Sequence, residues 1–209
     1  MALKTMKFYL SSYKIGKETD KFLKMLNGKK RIAYIPNALD FAKDKERRDK
    51  SEQGDIQELE SLGLIVERID LKEYFGKKEE LRKKLKKLGA VYVRGGNTFV
   101  LRQAMKLSGL DNILLSIKDQ NFIYSGYSAG CCVLSPSLES SKLVDDSNIF
   151  PYKLKKPIFE GLGLIPYNFL PHFDSDHPES SDINKELAYC KKKGLPYKTV
   201  KDGEVIIIE

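Results

Sequence analysis

The stretch Asn121-Phe122-Ile123-Tyr124-Ser125-Gly126-Tyr127-Ser128-Ala129-Gly130 joins an apolar run directly to a tight turn around one serine. The run Asn121–Ser125 predicts a short buried strand, and the small residues that open Ala129–Leu134 predict a helix. A Gly-x-Ser-x-Gly spacing between a strand and a helix is typical of a sharp turn that raises the serine hydroxyl above the carboxyl edge of a sheet. The segment therefore predicts an α/β fold, with Ser128 as a candidate nucleophile and the Ala129 N–H as a candidate oxyanion donor. The alternative is a glycine-rich turn that only ends a strand.

Strands and helices alternate on both sides of that segment. In the first half, strands are expected at Lys7–Ser11, Arg31–Pro36, Leu64–Leu71 and Ala90–Arg94, and helices at Lys17–Asn27, Glu52–Leu62, Leu81–Leu88 and Thr98–Ser108. The alternation predicts a doubly wound, mostly parallel sheet flanked by helices. Later elements are expected at Gly163–Ile165, Phe169–Pro171 and Glu204–Ile208 as strands and at Asp182–Lys193 as a helix. The sequence has no repeat and no linker, which predicts a single domain over residues 1–209.

The composition excludes several classes of protein. The 209-residue chain is 41% hydrophobic and 32% charged, with a net charge of +8. Lysine-rich runs such as Lys77–Lys87 are typical of a solvated helix face, so we expect no nucleic-acid partner. No run is long enough to span a membrane and Met1–Leu10 lacks the features of a signal peptide, so we expect a cytoplasmic protein without a membrane partner. The three cysteines fit neither a disulfide framework nor a metal-ligand spacing, and no metal or cofactor is expected.

A second glycine turn, Arg94-Gly95-Gly96-Asn97-Thr98-Phe99, also follows a predicted strand and opens a predicted helix. Paired glycines let backbone N–H groups approach a ligand, and a helix N-terminus favours negative charge. We therefore expect Gly95, Gly96 and Asn97 to lie beside Ser128, with the Gly96 N–H as a second oxyanion donor. The alternatives are a phosphate-binding turn and a plain connection in which Asn97 or Thr98 caps the helix.

The chain has only two histidines, so a histidine general base must be His172 or His177. His172 follows the apolar run at 168–171, which predicts a strand end on the same edge as Ser128, whereas His177 lies in a polar loop. A lone histidine is more often structural than catalytic, but its position favours His172. A triad also needs a carboxylate to orient the histidine. The acidic residues between Ser128 and His172 are Glu139, Asp145, Asp146 and Glu160, and the sequence leaves the choice open.

Taken in chain order, the segments Gly95–Phe99, Gly126–Gly130, Ser135-Pro136 and Leu170–Phe173 resemble those of the dipeptidase E-like serine peptidases. These are relatives of cyanophycinase with a class I glutamine-amidotransferase-like (flavodoxin-like) α/β fold. The resemblance implies a peptidase that cleaves small peptides by acyl transfer through a Ser-His-Asp triad. It implies Ser128 as nucleophile, His172 as base, the backbones of Gly96 and Ala129 as oxyanion donors, and Asp145, in preference to Asp146, as the acidic member.

The sequence departs from the family pattern at Cys131-Cys132, where small residues such as alanine are usual. It also does not place the positive charges that would bind an N-terminal aspartate, so the preferred substrate side chain stays open. We expect a small peptide as the only partner of a monomer or homodimer. The alternatives are an esterase or amidase on an α/β fold and a binding module without catalysis. A cysteine amidotransferase is disfavoured because the turn carries serine.

Overall fold

The central feature of the computed structural model, which describes residues 5–209, is a six-stranded sheet in the order β3-β2-β4-β5-β1-β8. Its strands are β1 (Lys7–Ser11), β2 (Arg31–Ile35), β3 (Ile65–Arg68), β4 (Ala90–Val93), β5 (Ile123–Tyr127) and β8 (Val205–Ile208). The first five run parallel, and β8 pairs antiparallel to β1. A separate pair of parallel strands, β6 (Asn168–Leu170) and β7 (Tyr197–Thr199), follows the central helices in sequence. The prediction of a doubly wound, mostly parallel sheet is confirmed.

Seven helices complete the described part of the chain. They are α1 (Thr19–Leu26), α2 (Lys45–Ser61), α3 (Lys78–Leu88), α4 (Thr98–Ser108), α5 (Leu110–Ser116), α6 (Ala129–Cys132) and α7 (Ser180–Lys193). Short 3₁₀ turns occur at Asn37–Leu39, Leu71–Tyr74 and Ser141–Leu143. None of the described helices is long and apolar enough to cross a membrane.

The four inner strands of the sheet, β2, β4, β5 and β1, are buried on both faces. Val93 packs in one apolar cluster and its neighbour Tyr92 packs in the other, because successive side chains of a strand point to opposite faces. A parallel sheet covered on both faces needs apolar residues at almost every strand position, and this explains the continuous apolar runs in the sequence. The loops that leave the strands are therefore the places where polar groups reach the surface.

Several elements differ from the sequence-based expectation. Helix α2 begins at Lys45, seven residues before the expected start, because the Asp44 carboxylate accepts a hydrogen bond from the Arg47 N–H and caps it. Residues Gly163–Ile165 do not form a strand, since their N–H groups donate to the carbonyls of Ser135 and Leu134. Helix α5 and strand β7 were not predicted; both are short and carry little periodicity.

Candidate active site

Ser128 lies in the connection between β5 and α6, at the carboxyl end of the central parallel strands. Its backbone has φ 47° and ψ −119°, a conformation that is rare for any residue other than glycine. Strand β4 passes close to this turn and explains the glycine two residues after Ser128. A Cβ on Gly130 would lie 2.2 Å from the Val93 carbonyl oxygen. The turn therefore holds the serine in a strained conformation at the sheet edge where parallel α/β proteins bind ligands.

The turn Gly95-Gly96-Asn97 lies beside Ser128, since a Cβ built on Gly95 would be 3.0 Å from the Ser128 Cβ. The Asn97 N–H donates to the Ala38 carbonyl, which fixes the turn against the 3₁₀ segment after β2. The Asn97 side chain accepts hydrogen bonds from the N–H groups of Phe99 and Val100, so it caps α4. The N–H groups of Gly96 and Ala129 have no hydrogen-bond acceptor among residues 5–209. Two unpaired donors on adjacent turns are thus available to a ligand.

His172 follows β6 and is buried, with a positive φ of 57°. Its backbone N–H donates to the Ser12 hydroxyl at 2.7 Å, which holds this strained residue at the end of β1. Its ring Nδ1 lies 2.7 Å from the Asp202 carboxylate, and the Ser12 hydroxyl donates to the same oxygen. Burial lowers the pKa of His172 and the neighbouring His177 lowers it further, while Asp202 opposes both effects. The arrangement keeps the ring neutral and orients it with Nδ1 toward a carboxylate.

The structure does not bring Asp145 or Asp146 to His172. The Asp145 carboxylate accepts a hydrogen bond from the Thr98 N–H at 2.9 Å, at the N-terminus of α4. Burial raises its pKa to about 6, against the lowering effect of the Thr98 hydrogen bonds. The Asp146 side chain accepts from the Asn148 N–H, and its carbonyl accepts from the Asn97 amide. These aspartates fix the loop against the glycine turn. The expectation that one of them faces the His172 ring is wrong, because the carboxylate beside Nδ1 is that of Asp202.

The other acidic candidates also lie elsewhere. Glu139 pairs with Lys142 at 2.7 Å on the surface, and Glu160 is exposed, with its carbonyl bound to the Arg102 side chain. Asp202 was not among the expected carboxylates, because those all lie between Ser128 and His172 in the sequence. Asp202 lies in the turn Lys201-Asp202-Gly203, directly before β8. Because β8 runs antiparallel to β1, that turn lies at the same sheet edge as the end of β1.

The open side of the His172 ring is covered by His177 and Glu179. The two imidazole rings stack with centroids 3.7 Å apart and planes 8° from parallel. A carboxylate oxygen of Glu179 lies 3.9 Å from His172 Nε2. Burial raises the pKa of Glu179 to about 7, and Asp145 adds to the effect. No direct hydrogen bond joins the Ser128 hydroxyl to His172 within the described residues, although both side chains line one cavity.

A buried polar network supports the turn at Gly95 from below. The Arg94 guanidinium donates to the Gly95 carbonyl at 3.2 Å and to the hydroxyls of Ser51 and Tyr127. It also lies 3.4 Å from the Asp55 carboxylate, which accepts from the hydroxyls of Tyr34 and Tyr127. The Gly95 carbonyl and the Gly96 N–H belong to one trans peptide and point in opposite directions. Arg94 therefore fixes the direction of the unpaired Gly96 donor.

Above these groups lies a cavity of about 460 Å³. Ser128, His172, Gly95 and Gly96 are among the residues that line it. Its basic lining residues are Lys14, Lys43, Arg47, Arg48 and Arg94, and its acidic ones are Asp44, Asp55 and Glu179. Because Arg94 is paired with Asp55 and Arg48 with Asp49, the remaining basic residues are Lys14, Lys43 and Arg47, against Asp44 and Glu179. The remaining charge of the lining is therefore mainly positive. The cavity can therefore receive a small ligand with negative charge beside the serine hydroxyl.

Comparison with known proteins gives a consistent result. An uncharacterized peptidase of Listeria monocytogenes is 35% identical over 122 residues, which cover 56% of this chain and 55% of the relative. Peptidase E of Streptomyces coelicolor is 35% identical over 131 residues, covering 60% of this chain and 51% of the relative. A probable alpha-aspartyl dipeptidase of Drosophila melanogaster is 28% identical over 138 residues, covering 63% of this chain and 55% of the relative. The chain spans about half the length of these curated relatives.

The fold and the family model extend the match to nearly the whole chain. The crystal structure of a putative Peptidase E protein from Listeria monocytogenes EGD-e superposes with a TM-score of 0.71 at 25% identity. That match covers 100% of this chain and 99% of the other. A family model described as Peptidase family S51 matches residues 10–209. The resemblance to dipeptidase E-like proteins is thus confirmed, and the chain belongs to peptidase family S51.

Proposed function

We propose that this protein is a serine peptidase that hydrolyses small peptides through Ser128, His172 and Asp202. The observation that carries the proposal is the strained Ser128, which lines one cavity together with a buried, carboxylate-bound histidine. The Ser128 side chain makes no hydrogen bond within the described residues, so a structural role does not explain a serine in this strained conformation. Membership of family S51 supports the same activity.

In the proposed reaction the Ser128 Oγ attacks the peptide carbonyl carbon, and His172 Nε2 takes the hydroxyl proton. The same nitrogen then gives that proton to the leaving amine as the C–N bond breaks. Water hydrolyses the acyl-serine ester by the same route in reverse. Asp202 holds the proton of the ring on Nδ1, which keeps the lone pair of Nε2 free to act as the base. The Ser128 hydroxyl has to approach Nε2 on substrate binding, as is common when a ligand-free site closes.

The developing negative charge on the carbonyl oxygen would be stabilised by the N–H groups of Gly96 and Ala129. Both are unpaired among the described residues, as an oxyanion hole requires of its donors. The Ala129 N–H also opens α6, where backbone donors have no partner within the helix. The loss of one such donor costs about 10²–10³ in turnover in serine hydrolases.

The substrate class follows from the charge of the cavity. Lys14, Lys43 and Arg47 lie on the lining and favour a peptide with an acidic side chain or a free carboxylate near the scissile bond. The name of one relative, a probable alpha-aspartyl dipeptidase, supports an aspartyl side chain. The cavity volume of about 460 Å³ suits a peptide of two or three residues.

A fluorophosphonate probe tests the chemistry directly. We expect it to label the wild-type protein and to leave Ser128→Ala unlabelled. Ser125→Ala serves as the matched control, since Ser125 is a buried strand serine whose hydroxyl donates to the Val91 carbonyl. Labelling of Ser128→Ala at the wild-type rate would refute the proposal, and a folded wild-type protein that does not react would favour a binding module.

Substrate preference is tested with dipeptides that differ only in the first residue. We expect Asp-Leu to be cleaved with a higher kcat/KM than Asn-Leu or Lys-Leu. Arg47→Gln should reduce that ratio, whereas Lys50→Gln, one turn further along α2 and outside the cavity, should not. Equal cleavage of all three dipeptides would show that the positive lining does not select the substrate.

A further inference from the structure

A group of potential metal ligands lies on the open side of His172. One donor atom from each of His172, His177 and Glu179 lies within 4.8 Å of the other two. All three residues line the cavity that contains Ser128. Two histidines and a glutamate are a donor set that Zn²⁺ uses with its fourth position open to water or a ligand. The proposed hydrolysis needs only one of these residues, so the other two are unexplained by it.

The hydrogen bonds of the two rings show which nitrogens are available. Asp202 holds the proton of His172 on Nδ1, and this leaves the lone pair of Nε2 directed away from Asp202. Glu179 approaches that nitrogen at 3.9 Å. His177 Nδ1 accepts only one long bond, 3.2 Å, from the Glu179 N–H, and an ion can replace this donor at small cost. A carboxylate behind a ligating histidine, as Asp202 is here, strengthens metal binding by orienting the ring.

The separations, which reach up to 4.8 Å, are larger than those of a closed site. Ligands about 2.0–2.1 Å from a tetrahedral Zn²⁺ lie roughly 3.3 Å from one another. The Glu179 to His172 distance of 3.9 Å needs a contraction of about half an ångström. The parallel rings must also tilt, because their lone pairs lie in the ring planes. His177 can supply this movement, since it is partly exposed in the loop before α7, whereas His172 is buried and fixed.

We propose that His172, His177 and Glu179 form an inhibitory site for a divalent transition-metal ion, with Zn²⁺ as the best-matched ion. The ion occupies the lone pair of His172 Nε2, which the proposed mechanism uses to take the serine proton. Bound metal and catalysis are therefore mutually exclusive, and removal of the ion restores activity. Binding itself does not depend on the proposed function; only the inhibition does.

Binding is measured first, on untagged full-length Ser128→Ala protein that has been stripped with a chelator. We expect isothermal titration with ZnCl₂ to show one site per chain. His177→Gln and Glu179→Gln should each weaken the affinity by about tenfold or more, as the loss of a ligand or its support does. Asp176→Asn is the matched control, because Asp176 is an exposed carboxylate in the same loop and outside the cluster. Thermal melting without metal checks that each variant is folded.

Inhibition is measured on the wild-type protein with a dipeptide substrate. We expect hydrolysis to fall with the same Kd as the titration and to return on addition of EDTA, and we expect His177→Gln to need at least about tenfold more zinc. The absence of a one-to-one site, or an affinity unchanged in both ligand variants, would overturn the proposal. Activation by zinc would overturn the inhibitory role. A protein that binds zinc as expected but cleaves no peptide would instead count against the proposed function.

Discussion

The proposed role of Asp202 can be tested by Asp202→Asn. In the wild-type protein one carboxylate oxygen accepts from both the Ser12 hydroxyl and His172 Nδ1, each at 2.7 Å. An asparagine that turns its carbonyl oxygen to these donors keeps both bonds but loses the negative charge that stabilises an imidazolium. One that turns its NH₂ group toward the ring moves the histidine proton to Nε2, where the base must be free. Both outcomes leave the fold in place and impair proton transfer.

We expect kcat/KM of Asp202→Asn to fall by about 10²–10⁴, the upper value being that of a wrong-tautomer triad. Four orders of magnitude correspond to about 5 kcal/mol of activation free energy. The assay is dipeptide hydrolysis followed by liquid chromatography, with Asp176→Asn as control, since Asp176 is an exposed aspartate in the loop after His172. The control should retain wild-type activity within about twofold, as expected for an exposed site away from the chemistry.

The pH profile separates an electrostatic role from a structural one. Asp202 raises the pKa of His172 against the effects of burial and His177. Removal of its charge should lower that pKa, so the acid limb of kcat/KM should move to lower pH in Asp202→Asn. A variant with reduced activity and an unmoved acid limb would indicate a structural role only. Near wild-type activity in Asp202→Asn together with an inactive Asp145→Asn would refute the assignment of Asp202.

Three further predictions concern the surroundings of the site. Gly95→Ala should abolish peptidase activity and lower stability by about 1–3 kcal/mol in urea unfolding, because its Cβ would lie 2.6 Å from the Tyr127 ring; an active, fully stable variant would contradict this. Asp55→Asn should cost about 3–5 kcal/mol, because it leaves the buried Arg94 charge uncompensated; a loss below 1 kcal/mol would show that Arg94 needs no counter-charge. Burial raises the pKa of Glu186 to about 7. The stability contributed by its protonated form is therefore complete below its ordinary pKa and is lost as the pH rises through 7. Glu186→Gln should flatten the fall of the urea midpoint between pH 5 and 8, and an unchanged slope would refute this.

The strand and helix pattern was accessible from the sequence because a parallel sheet covered on both faces needs continuous apolar strands. Leu81–Leu88 and Thr98–Ser108 were identified because helix periodicity and capping are local properties. The start of α2 was missed because its first turns, from Lys45 onward, are charged and have no apolar face. The helix-capping residue Asp44 was the sequence feature that could have indicated the start of α2. Local chemistry therefore decided these elements.

The candidate nucleophile was likewise predictable from a short local segment. Gly126–Gly130 specifies its own turn, because no side chain fits at Gly130 against the Val93 carbonyl. The neighbouring turn at Gly95-Gly96 could be expected beside it, since β4 and β5 are adjacent and parallel. The scarcity of histidine then reduced the choice of base to two residues. All three inferences rest on short segments whose geometry depends little on the rest of the chain.

The partner of His172 was decided only by the tertiary structure. Asp202 is 30 positions from His172 in sequence, and it reaches the ring because β8 pairs antiparallel with β1. An antiparallel strand begins at the edge where its parallel neighbours end, so the turn before β8 lies beside the end of β1. The direction of an edge strand depends on the packing of the whole sheet, and no local pattern encodes it. The sequence therefore determined the fold class, Ser128 as a candidate nucleophile and the two candidate bases, whereas the sheet topology determined which carboxylate lies beside His172.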